Sequence, residues 1–111
     1  MEHDRRRSPR YPFNGSIEMR EGNSEDKRTA HVSGLSMNGC FVDTDSPYAV
    51  GTALAVKVFT ETEFFEGQAA VVYTQEKRGM GLIFKETKPF YLMVLRKWLL
   101  GAMMSKKESP N

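Results

Sequence analysis

Two groups of residues have types and spacing suited to chemistry. The first is an arginine cluster: Arg5, Arg6, Arg7 and Arg10 all fall in the stretch RRRSPRYPF. A guanidinium is a planar fork that fits phosphate oxygens. It also stacks on aromatic bases and makes paired hydrogen bonds to the O6/N7 edge of guanine. Pro9 stiffens the chain between Arg7 and Arg10. The second group is LSMNGCFVDT, residues 35–44, in which Ser36 precedes Gly39 at a turn leading into an apolar run. The serine hydroxyl donates and accepts, and Gly39 has no side chain to hold a ligand off the backbone. Taken singly, each group also has an ordinary reading: a solvated basic tail and a hairpin turn.

Other chemistries find less support. His3, His31 and Cys40 lack the paired spacing of metal ligands, so no metal site is expected. Cys40 or Ser36 as a nucleophile would need a base. Only His31 lies outside the tail, and no elbow motif surrounds either residue, so no catalytic residue and no enzyme are expected. Cys40 reads as a small buried strand residue. Asp43 with Asp45, and Glu61 with Glu63, read as solvated loop charge. GMG (79–81) precedes a strand rather than a helix and so fails as a dinucleotide-binding loop.

The elements that must position these groups are short strands and one helix. In 111 residues, 40% hydrophobic and 27% charged, there is room for one domain with a modest core. Strands are predicted at 11–20, 27–34, 40–44, 52–60, 64–75 and 80–84. Leu54, Val56 and Val58 share one face at period two, as do Phe65, Ala69, Val71 and Tyr73, and Met80, Leu82 and Phe84. Over 88–104 the period changes to that of a helix, with Phe90, Val94 and Trp98 beside Tyr91, Leu95 and Leu99. Pro89 suits the first turn. The pattern predicts an all-β fold with a terminal helix, a small antiparallel barrel or sandwich. The predicted organisation is a flexible arginine-rich arm (1–10), one domain (11–104) and a disordered tail (105–111). A net charge of +2 argues against coating nucleic acid by bulk charge, and the strands carry few interleaved cations, so no DNA or RNA partner is expected. A single cysteine, a charged N-terminus and no long apolar run lead to the expectation of a cytoplasmic chain without a signal peptide or membrane insertion.

Order and spacing together resemble the PilZ domain family. The family's Arg-x-x-x-Arg motif is matched by Arg6 and Arg10, with Arg7 as a further arginine. Its Asp/Asn-x-Ser-x-x-Gly motif is matched by Gly34-Leu35-Ser36-Met37-Asn38-Gly39, except at the first position. GCFVDT, PYAVGTALAVKV, GMGLIF and the closing apolar helix extend the resemblance from Arg5 to about Leu100. The resemblance implies a six-stranded antiparallel β-barrel with a C-terminal helix. It also implies a receptor, not an enzyme, with no cofactor, whose ligand is cyclic di-GMP. Arg6, Arg7 and Arg10 would close over that ligand against Gly34, Ser36 and Gly39. Gly34 stands where the family has Asp or Asn, and the missing hydrogen bond predicts binding weakened by about 0.5–1.5 kcal/mol. Ser33 and Asn38 are the polar neighbours able to substitute, although strict strand alternation would turn Ser33 to the opposite face. The alternative is a degenerate PilZ-like module, monomeric or dimeric, that acts on a downstream protein partner without binding the nucleotide.

Overall fold

The computed structural model describes residues 10–108, the last four as backbone alone. Six strands form: β1 (Tyr11–Glu21), β2 (Arg28–Leu35), β3 (Gly39–Asp43), β4 (Ala53–Phe59), β5 (Phe64–Gln75) and β6 (Gly79–Lys85). They close into a barrel in the order β1-β2-β3-β6-β5-β4, with every neighbouring pair antiparallel. This is the six-stranded barrel that the resemblance implied.

Period-two alternation drives the closure. Ile17, Met19, Val32, Leu35, Cys40, Val42, Leu54, Val56, Val58, Phe65, Ala69, Val71, Met80 and Leu82 all turn inward and are buried. Burying a side chain of the Val, Leu or Phe class contributes roughly 1.5–3 kcal/mol, so the barrel interior is the main source of stability. Phe65 packs against Phe84 at a ring separation of 4.7 Å.

Helix α1 (Pro89–Glu108) begins as predicted, with Pro89 in the first turn and the amides of Tyr91 and Leu92 donating to the Lys88 carbonyl. It runs past the expected end near Met104. No proline intervenes before Pro110, and the residue before a proline disfavours the helical conformation. Val94, Leu95, Trp98 and Leu99 bury themselves toward the barrel, where α1 meets β1 and β5. A polar latch reinforces the contact: Glu63 accepts from Lys97 Nζ at 2.8 Å and from Trp98 Nε1 at 3.2 Å. Phe13, near the start of β1, packs on Trp98 with ring centroids 5.3 Å apart. The opposite side of α1 leaves Phe90, Met93, Leu100 and Met104 exposed.

Three irregularities interrupt the ladders: between Pro12 and Gly15 in β1, between Val32 and Gly34 in β2, and between Val71 and Tyr73 in β5. Each inserts an extra residue and reverses which side chains face outward beyond it. Tyr73, expected to share the inner face with Val71, is one consequence. The bulge at Val72 pairs Tyr73 with Gly81 and turns it outward.

Candidate functional site

The three bulges border one row of residues across five strands. Pro12 pairs with Gly34, Gly34 with Phe41, Phe41 with Gly81 and Gly81 with Tyr73. The neighbouring row, Leu35, Cys40, Leu82 and Val71, faces the core, so this row faces out. Phe41 and Tyr73 lie against each other with centroids 6.2 Å apart. Gly81 makes room for them: a β-carbon there would stand 2.3 Å from the Tyr73 ring. GMG is therefore a seat for aromatic rings, not a phosphate loop.

Arg10 crosses this row. Its aliphatic stem lies over Gly34, and its guanidinium carbon is 5.9 Å from each of the Phe41 and Tyr73 ring centroids. At an exposed site such cation–π contacts contribute about 0.5–1 kcal/mol. The charge is thus held over a flat apolar surface beside the turn that ends β2. Arg6 and Arg7, the other two expected contacts, lie outside the described residues.

Ser36 and Gly39 build that turn. The Ser36 amide donates to the Gly39 carbonyl at 2.9 Å. The Ser36 hydroxyl accepts from the amides of Asn38 (3.2 Å) and Gly39 (3.1 Å) and donates to the Gly39 carbonyl (3.3 Å). One proton and two lone pairs are all that a hydroxyl has, and Ser36 is only 7% exposed. The hydroxyl therefore holds the turn. Gly39 is required by close approach, since a β-carbon would lie 1.9 Å from the Leu82 carbonyl oxygen.

A polar cluster adjoins the row one step down the barrel. The bulge in β2 brings Ser33 to the outer face along with Gly34, against the expectation from simple alternation. There the Ser33 hydroxyl donates to Asp43 Oδ1 at 2.8 Å. His31 Nδ1 donates to Asp43 Oδ2 at 2.9 Å, and its Nε2 lies 3.0 Å from Asn14 Oδ1. Partial burial raises the Asp43 pKa. The His31 and Ser33 hydrogen bonds, with the nearby charges of His31 and Arg78, outweigh it and hold the carboxyl below its ordinary value. Cys40 is fully buried. Desolvation pushes its thiol up to about 12, against a smaller opposing pull from Arg10. Among the described residues there is no cluster of His, Cys, Asp and Glu able to hold a metal ion, and no helix long and apolar enough to cross a membrane.

Sequence reasoning missed Phe41, Tyr73 and Asp43, and expected Ser33 on the opposite face. The available signals were Phe41 out of phase with Cys40 and Val42, and glycines at 79 and 81 opposite β3.

The sequence profile of the PilZ domain matches residues 4–99. This chain belongs to the PilZ domain family. PilZ domains are ligand-binding receptor domains rather than enzymes. The fold agrees with solved structures at low sequence identity. The PilZ domain of YcgR from Escherichia coli, solved with c-di-GMP, superposes with a TM-score of 0.73 at 15% identity, covering 94% of this chain and 95% of that one. The Bacillus subtilis inhibitor of motility MotI/DgrA gives a TM-score of 0.77 at 19% identity, covering 94% of this chain but 54% of its own length. The PilZ domain of CeSA from a cellulose-synthesizing bacterium gives 0.67 at 19% identity, covering 85% and 97%. This PilZ chain therefore spans about half the length of MotI/DgrA. No curated protein sequence matches it significantly.

Proposed function

We propose that this PilZ domain is a cyclic di-GMP receptor. The observation that carries the reading is Arg10 held over Gly34 and against the Phe41–Tyr73 pair, beside the Ser36–Gly39 turn. Cyclic di-GMP offers phosphates to a guanidinium fork and flat guanines to aromatic and guanidinium faces. Arg10 takes a phosphate or stacks on a base. Arg6 and Arg7, preceding it in sequence, supply further charge. Ser36 acts by holding the turn whose backbone borders the ligand, and Gly39 by letting that turn sit close to β6. Ordering of the arm on binding is the signal, at an entropic cost that the charge-assisted bonds must exceed.

Titration calorimetry of the chain and of Arg10→Ala with cyclic di-GMP tests this. Saturable heat from the parent chain, weakened at least tenfold in Arg10→Ala, supports the receptor reading. Absence of binding by the folded parent chain overturns it.

A second reading is a protein–protein interaction module. The exposed stripe of Phe90, Met93, Leu100 and Met104 on α1 favours it. Sedimentation velocity of the parent chain and of Met93→Glu/Leu100→Glu tests self-association. A concentration-dependent dimer abolished by the two substitutions supports it, and a monomer throughout removes self-association.

A further inference from the structure

We propose that Asp43 is the guanine-reading carboxylate of this domain, taking the place of the acid or amide missing at Gly34. This rests on the receptor reading above. A ligand over Arg10, Phe41 and Tyr73 extends either toward the Ser36–Gly39 turn or down β2 and β3. In the second direction the next outward residue on β3 is Asp43, about 6.6 Å beyond Phe41 at two strand residues.

Three observations make Asp43 more than a solvated charge. It lies on the same outer face as Phe41, paired with His31 and Gly79, so no side chain from β6 covers it. Its two oxygens are oriented by separate donors, Ser33 on Oδ1 and His31 on Oδ2. Ser33 is the extra residue of the bulge before Gly34, so it shares the outer face with the position where the family motif is broken. An ionised carboxylate only accepts hydrogen bonds, with about four lone-pair sites. Two are used here, which leaves one on each oxygen. The Watson–Crick edge of guanine presents two adjacent donors, N1–H and the N2 amino group, and these match a carboxylate fork. Adenine presents a bare ring nitrogen there, which a carboxylate repels. Asp43 therefore selects guanine over adenine, with Ser33 and His31 as positioning residues that set the angle of its oxygens.

The test is titration of the full chain with cyclic di-GMP and with cyclic di-AMP, repeated on Asp43→Ala, Asp43→Asn and the double variant Gly34→Asp/Asp43→Ala, with a thermal melt to confirm that each is folded. The expected result is at least tenfold weaker cyclic di-GMP binding by Asp43→Ala and Asp43→Asn, with a reduced preference over cyclic di-AMP. Recovery of most of that loss is expected in the double variant, because the acid has moved back to the family position. A merely structural role for Asp43 would not be rescued by an acid at position 34. If the parent chain binds and Asp43→Ala binds equally tightly with the same preference, this assignment is overturned while the receptor reading stands. If the parent chain does not bind, both fall.

Discussion

Arg10 lies across Gly34, and a β-carbon on Gly34 would stand 2.8 Å from Arg10 Cδ and 3.2 Å from Cγ. The family motif places an acid or amide under the arginine, and this chain places nothing there. The arginine stem occupies the vacated space and rests directly on the sheet.

Gly34→Asp therefore displaces a flexible side chain rather than backbone, and the fold is expected to accept it. The new carboxylate also stands beside the guanidinium. With Asp43 still reading the guanine edge, cyclic di-GMP binding is expected to change by less than about threefold, short of a full hydrogen bond. Calorimetry on the parent and variant chains reads this directly.

The turn at Ser36 is expected to be sensitive for two different reasons. Gly39→Ala drives a β-carbon into the Leu82 carbonyl, which forces β3 and β6 apart and lowers stability by about 1–3 kcal/mol. Ser36→Ala removes an acceptor shared by the Asn38 and Gly39 amides and costs about 1–3 kcal/mol. Urea unfolding followed by circular dichroism measures both, and unchanged midpoints would contradict the turn's assigned role.

Cys40 is expected to be inert in the folded chain. With its thiol pushed up to about 12 by burial, the thiolate fraction at pH 8 falls about a thousandfold below that of an ordinary cysteine. Iodoacetamide should modify it only after unfolding, as mass spectrometry with and without denaturant will report.

Acid should loosen the outer face through Asp43. Its pKa is lowered in the folded chain from an ordinary 3.8. The stability contributed by its ionised form is thus fully present above that ordinary value and lost as pH falls through the lower folded value. Asp43→Asn is expected to flatten the acid limb of a melting-temperature profile as pH falls below the ordinary 3.8. A profile superposable on that of the parent would show that the His31 and Ser33 bonds add nothing to stability.

The single tryptophan offers an optical check on the helix latch. Glu63→Ala removes the acceptor of Trp98 Nε1 and the partner of Lys97. The emission of Trp98 is expected to shift to the red as its ring gains water. An unchanged spectrum would mean that packing on Phe13 alone holds the ring.

Much of the barrel was legible because alternation is a strong signal. Leu54, Val56 and Val58, and Met80 with Leu82, face inward as their spacing predicts, and β5 has the predicted limits Phe64–Gln75. Bulges were not legible. The extra residue at Val72 has no glycine or proline beside it, and the glycine after Ser33 was read as a motif position, so a period-two count runs straight through both. That is why Tyr73 was assigned to the core, and why Ser33 was expected to face away from Gly34. The candidate site was nominated by a motif, Arg10 with Ser36 and Gly39, because these residues need little context to be recognised. The aromatic floor was not, since Phe41 and Tyr73 look like any strand hydrophobics until register shows which way they point.

Closure of the sheet restricts how such a domain can pass on a message. An open sheet has edge strands whose unpaired amides and carbonyls invite another chain to add a strand. Here β1 pairs with both β2 and β4, and the ring has no edge to lend. With strand addition closed off, the surfaces left are those of side chains: the outer row, the approach to β1 at Arg10, and the exposed flank of α1. Because Phe13, three residues after Arg10, packs on Trp98, the last two of these surfaces are joined by one aromatic contact.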